Sequence, residues 1–176
     1  EFPALAEVFA RYPISLLILH PRVREDYYKV PVREEEFARA QPLIHCPLCY
    51  NGGLVHTGDC TKTAEEFPQL QGLMMGQGLI ADPALARKVR GGRTAGREEL
   101  RAFHDELYQG YLRDFSSEKN AVFHMKELWS YFFRLFEGGE KLFKQIKKAQ
   151  NGRSYESAVD QIFRTLPLRD EADWIK

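Results

Sequence analysis

The sequence has few cysteines, no long apolar run and no excess of one charge. Its three cysteines, an odd number, favour a reducing compartment over a framework of disulfide bonds. No segment approaches the roughly 18 apolar residues of a membrane-spanning helix, and no signal peptide is visible. Because 25 basic residues balance 25 acidic ones, the net charge argues neither for nor against nucleic acid. These features predict a soluble, cytoplasmic protein with no membrane partner.

The chain also lacks an initiator methionine and begins inside an amphipathic segment, EFPALAEVFARYP. We therefore expect it to be a piece of a longer protein. Its 176 residues, 44% of them hydrophobic, are enough for one or two domains. The apolar period changes after Gly91-Gly92, which predicts one domain over residues 1–92 and a second over residues 93–176.

Three apolar runs in the first domain predict buried parallel strands. They cover residues 14–19, 43–50 and 73–75, and they end at His20, Asn51 and Gly76. Helical patterns separate the runs, and the spacing fits successive βα units of a parallel sheet. Two architectures fit this pattern: a small open sheet of three or four strands, or the last part of an eight-stranded barrel.

Four amphipathic helical segments follow and predict an all-α second domain. Short breaks at Ser116-Ser117, Gly138-Gly139 and Asn151-Gly152 separate them, which is typical of a four-helix bundle. Residues 80–176 carry a net charge of +3, concentrated in one lysine-rich run. The run contains Lys141, Lys144, Lys147, Lys148 and Arg153. Such a run is usually a solvated helix face, but lysines clustered on one helix also bind phosphates.

Two glycine-containing loops each follow an apolar run. They are Asn51-Gly52-Gly53 and Gly76-Gln77-Gly78. Loops at the same end of neighbouring parallel strands can direct peptide N–H groups at one anion, and a helix behind the second loop suits a phosphate. Each loop alone is a weak signal, whereas the pair predicts a phosphate site.

His20 and the cysteines are further candidates for chemistry. His20 ends a strand where such loops gather, and with Arg22 it offers an imidazole and a guanidinium to a carbonyl or phosphate group. Cys46, Cys49, His56 and Cys60 have the spacing of a small zinc knuckle. The alternative, which we favour, is that Cys46 and Cys49 lie on a strand, because a strand directs side chains i and i+3 to opposite faces. We therefore predict no metal site.

Four motifs in order give the chain a family resemblance. They are HPR at residues 20–22, P-x-x-Y-N-G-G at 47–53, MMGQGLIxDP at 74–83 and FHMKELWSYF at 123–132. Together they resemble the C-terminal part of a tRNA-dihydrouridine synthase. The resemblance implies the last three or so βα units of a (β/α)8 TIM barrel, followed by a helical tRNA-binding domain.

The resemblance also implies a chemistry. Such enzymes bind FMN, reduce it with NADPH and reduce the C5–C6 bond of a uridine in tRNA. Carried over to this sequence, the backbone of both glycine loops, residues 51–53 and 76–78, would hold the FMN phosphate. His20 and Arg22 would lie near the flavin or the target base, and Lys141, Lys144, Lys147 and Lys148 would contact tRNA.

The sequence departs from the family pattern in two places and lacks one element. Gly53 replaces an aspartate, and Gln77 replaces an arginine. The family's catalytic cysteine lies on an earlier strand, and none of Cys46, Cys49 and Cys60 aligns with it. We therefore expect no catalytic residue in this piece and no activity of the piece alone. Half a barrel would also leave an open apolar face that favours self-association.

Two other functions fit parts of the sequence. The lysine run and the possible knuckle are compatible with an RNA-binding or interaction module without catalysis. Another FMN-dependent TIM-barrel oxidoreductase would explain the glycine loops, but it would leave the helical domain without a role.

Overall fold

A computed structural model describes residues 2–27, 30–115 and 117–174. Contacts divide the chain into two units, Glu1–Gly76 and Gln77–Lys176. The boundary expected at Gly91-Gly92 therefore lies inside the second unit. In the described ranges, no helix is both long enough and apolar enough to cross a bilayer.

The first unit alternates helices with a parallel sheet of strand order β1-β2-β3. Its elements are α1 (Phe2–Phe9), β1 (Leu17–Leu19), α2 (Glu34–Ala40), β2 (Leu48–Asn51), α3 (Thr57–Glu66) and β3 (Gly72–Met74). This is the predicted α/β alternation, with shorter strands. The second strand begins five residues later than predicted, because Gln41–Leu43 form a 3-10 turn around Pro42.

Only one face of the sheet is covered by the described helices. Tyr50 on β2 is 1% exposed and packs at 4.8 Å against the ring of Phe37 from α2. Ile18 and Met74 are each 46% exposed. The apolar run of the first strand is typical of a strand buried on both faces, but no described helix of this unit covers the side of Ile18.

The second unit is mainly helical, with an isolated antiparallel bridge between Phe136 and Leu168. Its helices are α4 (Gln77–Ala81), α5 (Leu85–Val89), α6 (Arg97–Asp114), α7 (Glu118–Phe132), α8 (Gly139–Lys148) and α9 (Gly152–Thr165). The Asn151 side chain accepts a hydrogen bond from the Ser154 amide at 2.9 Å and caps α9. Ser154, itself a residue type that often caps helices, is here the third residue of the helix and completes the capping box.

A buried lysine on α5 connects the turn before that helix to the C-terminal segment. Lys88 pairs with Asp82, and both side chains are at least nine-tenths buried. The Lys88 ammonium also donates to the Asp170 carbonyl at 2.6 Å, and Asp82 accepts from the Ala84 amide at 3.0 Å. These contacts explain why residues before Gly91 belong to the helical unit.

The hydroxyl of Tyr155 is the centre of a buried hydrogen-bond network. It accepts from Nε1 of Trp129 at 2.9 Å and lies 2.6 Å from Nε2 of His104. Nδ1 of His104 lies 2.8 Å from a carboxylate oxygen of Asp105, which only accepts, so Nδ1 carries the proton of the neutral ring. Nε2 is then the acceptor, and the Tyr155 hydroxyl donates to it. His104 is 1% exposed, and burial lowers its pKa despite the opposing effect of Asp105. The network therefore holds a neutral imidazole.

We predict that His104 makes the helical unit less stable in acid. Below about pH 6.5 the unfolded chain binds a proton that the folded imidazole resists, so the free energy of unfolding falls as the pH decreases. His104→Gln should flatten this dependence in urea titrations between about pH 7.5 and pH 5. Both tryptophans, Trp129 and Trp174, lie in this unit, so their fluorescence reports its unfolding.

The control is His124→Gln, since 37% of that imidazole side chain is exposed. This variant removes an imidazole from the same unit without touching the buried network, so it measures the effect of losing a histidine as such. Equal slopes in His104→Gln and wild type would contradict the assignment.

Candidate functional site

The three parallel strands end at one edge of the sheet. His20 follows β1, Gly52 and Gly53 follow β2, and Gly76 comes two residues after β3. The β2–β3 pairing sets Asn51 opposite Met74, and Nδ2 of Asn51 donates to the Met74 carbonyl at 2.7 Å. Ligands bind at this edge in parallel sheets, outside the carboxyl ends of the strands.

The turn after β2 requires glycine. Gly52 has φ +135°, and a Cβ there would lie 2.9 Å from Cδ2 of His20 and 3.2 Å from Val32. Gly53 has φ +67° and would place a Cβ 3.2 Å from the same valine. The backbone therefore passes directly beside the imidazole, as only a residue without a side chain permits.

The same turn leaves peptide N–H groups available. Within the described ranges, no hydrogen bond uses the amide N–H of Gly52, Gly53 or Gly76. A Cβ at Gly76 would meet nothing within 4 Å, so open space lies beside this backbone. Peptide N–H groups at the end of a sheet are suited to an anion.

His20 and Arg22 lie at this edge in different environments. Partial burial lowers the pKa of His20, and the positive charge of Arg22 lowers it further. The imidazole is therefore neutral near pH 7 and can exchange hydrogen bonds with a ligand. The Arg22 guanidinium donates to the Val30 carbonyl. Asp26 is 6% exposed and accepts from Arg33 at 2.9 Å, which fixes the loop after β1.

Gln77 and Gly78 belong to the second unit, where they begin α4. Nε2 of Gln77 donates to the hydroxyl of Tyr131 on α7 at 3.3 Å. Gly78 is buried. The role expected for these residues beside a phosphate stays a prediction.

The four candidate RNA-binding lysines are exposed on α8. Leu142, Phe143 and Ile146 of the same helix are buried. Nζ of Lys147 lies 4.6 Å from the centre of the Phe143 ring. These lysines therefore lie on the exposed face of one helix, and their contact with RNA stays a prediction. The lysines are Lys141, Lys144, Lys147 and Lys148.

Comparison with known proteins gives the chain its relatives. No family model matches it. It is 28% identical over 169 residues to the tRNA-dihydrouridine(16) synthase of Aquipseudomonas alcaligenes, an alignment covering 92% of this chain and 51% of that protein. The synthase of the same name from Pseudomonas putida is 26% identical, with coverages of 75% and 42%. The chain is a relative of the tRNA-dihydrouridine synthases. The resemblance read from the motifs is confirmed.

A fungal relative extends the comparison. The tRNA-dihydrouridine(20a/20b) synthase [NAD(P)+] of Schizosaccharomyces pombe is 24% identical over 120 residues, covering 68% of this chain and 34% of that protein. The chain thus spans about half or less of the length of these synthases.

The two departures from the synthase pattern have local explanations. At Gly53 the backbone is left-handed, and Val32 occupies the space beside it. At Gln77 the side-chain amide bonds Tyr131, a contact within the helical unit.

The three cysteines occupy different parts of the first unit. Cys46 precedes β2, which corrects its expected position on the strand, and Cys49 lies on β2. Cys60 is buried in α3, with Sγ 3.6 Å from Sδ of Met75. The described residues contain no group of three or more His, Cys, Asp or Glu side chains placed to hold a metal ion.

Sequence reasoning assigned no function to Phe123 and Lys126, although both lie in one of the quoted motifs. Phe123 is 60% exposed. Nζ of Lys126 donates to the carbonyl of Ala149 at 2.6 Å. The sequence does mark Phe123, because it is a large aromatic residue outside the apolar stripe of its helix. Lysines stand four residues before it and three residues after it.

We predict that Gly52→Ala destabilises the first unit. The strained φ and the clash with His20 should cost about 1–3 kcal/mol. Hydrogen exchange at the β2 amides, followed by mass spectrometry, should show lost protection. Gly58→Ala is the matched control: this exposed glycine lies in α3, its Cβ would meet nothing within 4 Å, and alanine there should stabilise the helix by about 0.5–1 kcal/mol. Equal protection in both variants would show that the turn tolerates a side chain.

Proposed function

We propose that this chain is the part of a tRNA-dihydrouridine synthase that holds the phosphate of FMN and contacts tRNA. The observation that carries the proposal is the edge where Asn51 bonds the Met74 carbonyl and the N–H groups of Gly52, Gly53 and Gly76 are available. Available N–H groups beside open space fit a phosphate. Bound FMN would supply the hydride, renewed from NADPH, that reduces the C5–C6 bond of uridine.

The residues around this edge have distinct roles in the proposal. The backbones of Asn51, Gly52, Gly53 and Gly76 hold the phosphate. The neutral imidazole of His20 gives or accepts a hydrogen bond from the flavin or the target base. Arg22 lowers the pKa of His20 and so keeps the imidazole neutral.

The proposal extends to the fold. The three-stranded sheet corresponds to the last part of a (β/α)8 barrel, and α6 to α9 correspond to the helical bundle. Parallel sheets are normally covered on both faces, so the exposed side of Ile18 and Met74 is covered by the rest of the barrel. In the isolated chain a second copy takes that place.

The chain alone does not complete the chemistry in this proposal. Cys60 is buried in a helix, and Cys49 lies within β2 rather than at its end. The acid that protonates the uracil therefore comes from the remainder of the protein. The whole protein acts on tRNA in the cytoplasm, and the names of two relatives make position 16 the first uridine to assay.

The deciding measurement is the visible absorption spectrum of the full-length protein beside that of this chain. We expect a flavin band in the full-length protein and none in this chain. The reason is that the strands outside this chain are needed to enclose the isoalloxazine ring. No band in the full-length protein after addition of FMN would refute the cofactor assignment and favour an RNA-binding module.

In sedimentation, the chain alone should associate through the uncovered face of its sheet. A strictly monomeric chain that binds no apolar dye would contradict the proposal that this face is uncovered.

We also predict that the lysine face of α8 binds tRNA through phosphates. Replacing Lys141, Lys144, Lys147 and Lys148 with alanine should weaken binding and reduce the slope of log affinity against log salt, by about 0.7–0.9 for each lost contact. Gel shifts over a salt series measure both quantities. Replacing Arg39 and Lys62, exposed cations of the first unit, is the control. An unchanged slope in the α8 variant would remove this face from the tRNA surface.

A further inference from the structure

Phe123 is unusual in the second unit because its ring is exposed. Of the large hydrophobic residues described there, only Ile80 and Phe123 are exposed, at 37% and 60%. The neighbouring side chains on the core side of α7, Val122 and Met125, are 2% and 0% exposed. Phe123 is therefore exposed because it lies on the polar side of α7, opposite the side that packs into the core.

Two lysines flank Phe123, and Glu127, four residues after it, lies on the same side of the helix and pairs with His124. Lys119 and Lys126, four residues before it and three after it, share its side of α7. Lys126 reaches the Ala149 carbonyl at the end of α8, the helix that carries Lys147 and Lys148. An ammonium has three donors, so Lys126 keeps donors for a ligand.

An aromatic stack holds the Phe123 ring in place. Its centre lies 5.8 Å from the His124 ring at an angle of 86°, an edge-to-face contact. His124 in turn stacks on Phe115 at 4.4 Å and 5°. Support from one neighbour and exposure of 60% leave a ring face open to a planar partner.

We propose that Phe123 is a stacking platform for an unpaired base of the bound RNA, with Lys119 and Lys126 receiving the flanking phosphates. This rests on the proposed function, in which the chain binds tRNA. A single exposed aromatic side chain among lysines matches the chemistry of a nucleotide, which offers a π face between two anions. A docked protein would need a contiguous apolar patch, and within the described unit Phe123 has no exposed apolar neighbour on its side of the helix.

The test compares three variants for binding to tRNA and to a short single-stranded RNA. Phe123→Ala should weaken binding roughly 5- to 150-fold, the range measured for loss of one base stack. Phe123→Leu should weaken it nearly as much, because leucine keeps apolar area but has no π face. Phe123→Trp should retain affinity, and its added fluorescence should be quenched by the RNA. Tyr12→Ala, which removes a 65% exposed aromatic side chain of the first unit, is the control and should bind as wild type.

The outcomes separate this proposal from the proposed function. Normal affinity of Phe123→Ala, with weakened binding by the four-lysine variant of α8, would overturn the platform and leave tRNA binding standing. Normal affinity of Phe123→Leu with loss in Phe123→Ala would show a simple apolar contact and overturn stacking. Failure of the wild-type chain to bind either RNA would overturn both. Loss in Ala and Leu, with recovery and quenching in Trp, would establish the platform.

Discussion

The parallel register of three short strands is the constraint on which the candidate site depends. Pairing of Asn51 with Met74 brings the turn at Gly52 and the loop at Gly76 to one edge. A slip of one residue would turn Asn51 toward the helices and Tyr50 toward the open face. The rings of Phe37 and Phe67, each within 6.2 Å of Tyr50, oppose such a slip. Aromatic packing on one face thus fixes the geometry of polar groups at the edge.

The helical unit is organised around buried polar groups as well as apolar ones. The imidazole of His104, the indole of Trp129 and the hydroxyl of Tyr155 satisfy one another within the core. Lys88 is likewise satisfied by the Asp82 carboxylate before α5 and by the Asp170 carbonyl of the C-terminal segment. Buried polar groups are costly when unpaired, so these contacts favour one packing of the helices over alternatives with the same apolar faces.

Local signals in the sequence predicted much of this arrangement. Glycine after an apolar run correctly marked the ends of β2 and β3, and the apolar period marked α6 to α8. Helix starts were less predictable where two capping residues compete. Thr63 and Glu66 have the spacing of a capping box, yet α3 begins at Thr57, where the carboxylate of Asp59 accepts a hydrogen bond from the amide of His56 at 2.9 Å.

Features that depend on distant residues could not be predicted. An apolar run such as that around Ile18 has the composition of a strand buried on both faces, whether or not an element covers the second face. Likewise, Lys88 belongs to the helical unit through Asp170, which lies 82 positions later in the sequence. The Gln77 side chain bonds Tyr131, which lies 54 residues later in the sequence. Periodicity describes single elements and contains no information on such pairs.

The buried hydroxyl of Tyr155 has a consequence for how the helical unit moves. Its proton and the indole proton of Trp129 are enclosed among α6, α7 and α9, because both rings are fully buried. Neither proton can exchange with solvent deuterium until the helices separate locally. The exchange rates of these two side-chain protons therefore record how often the core opens. Local opening of the core can therefore be followed at two native side chains, without attaching a fluorophore or mutating a residue.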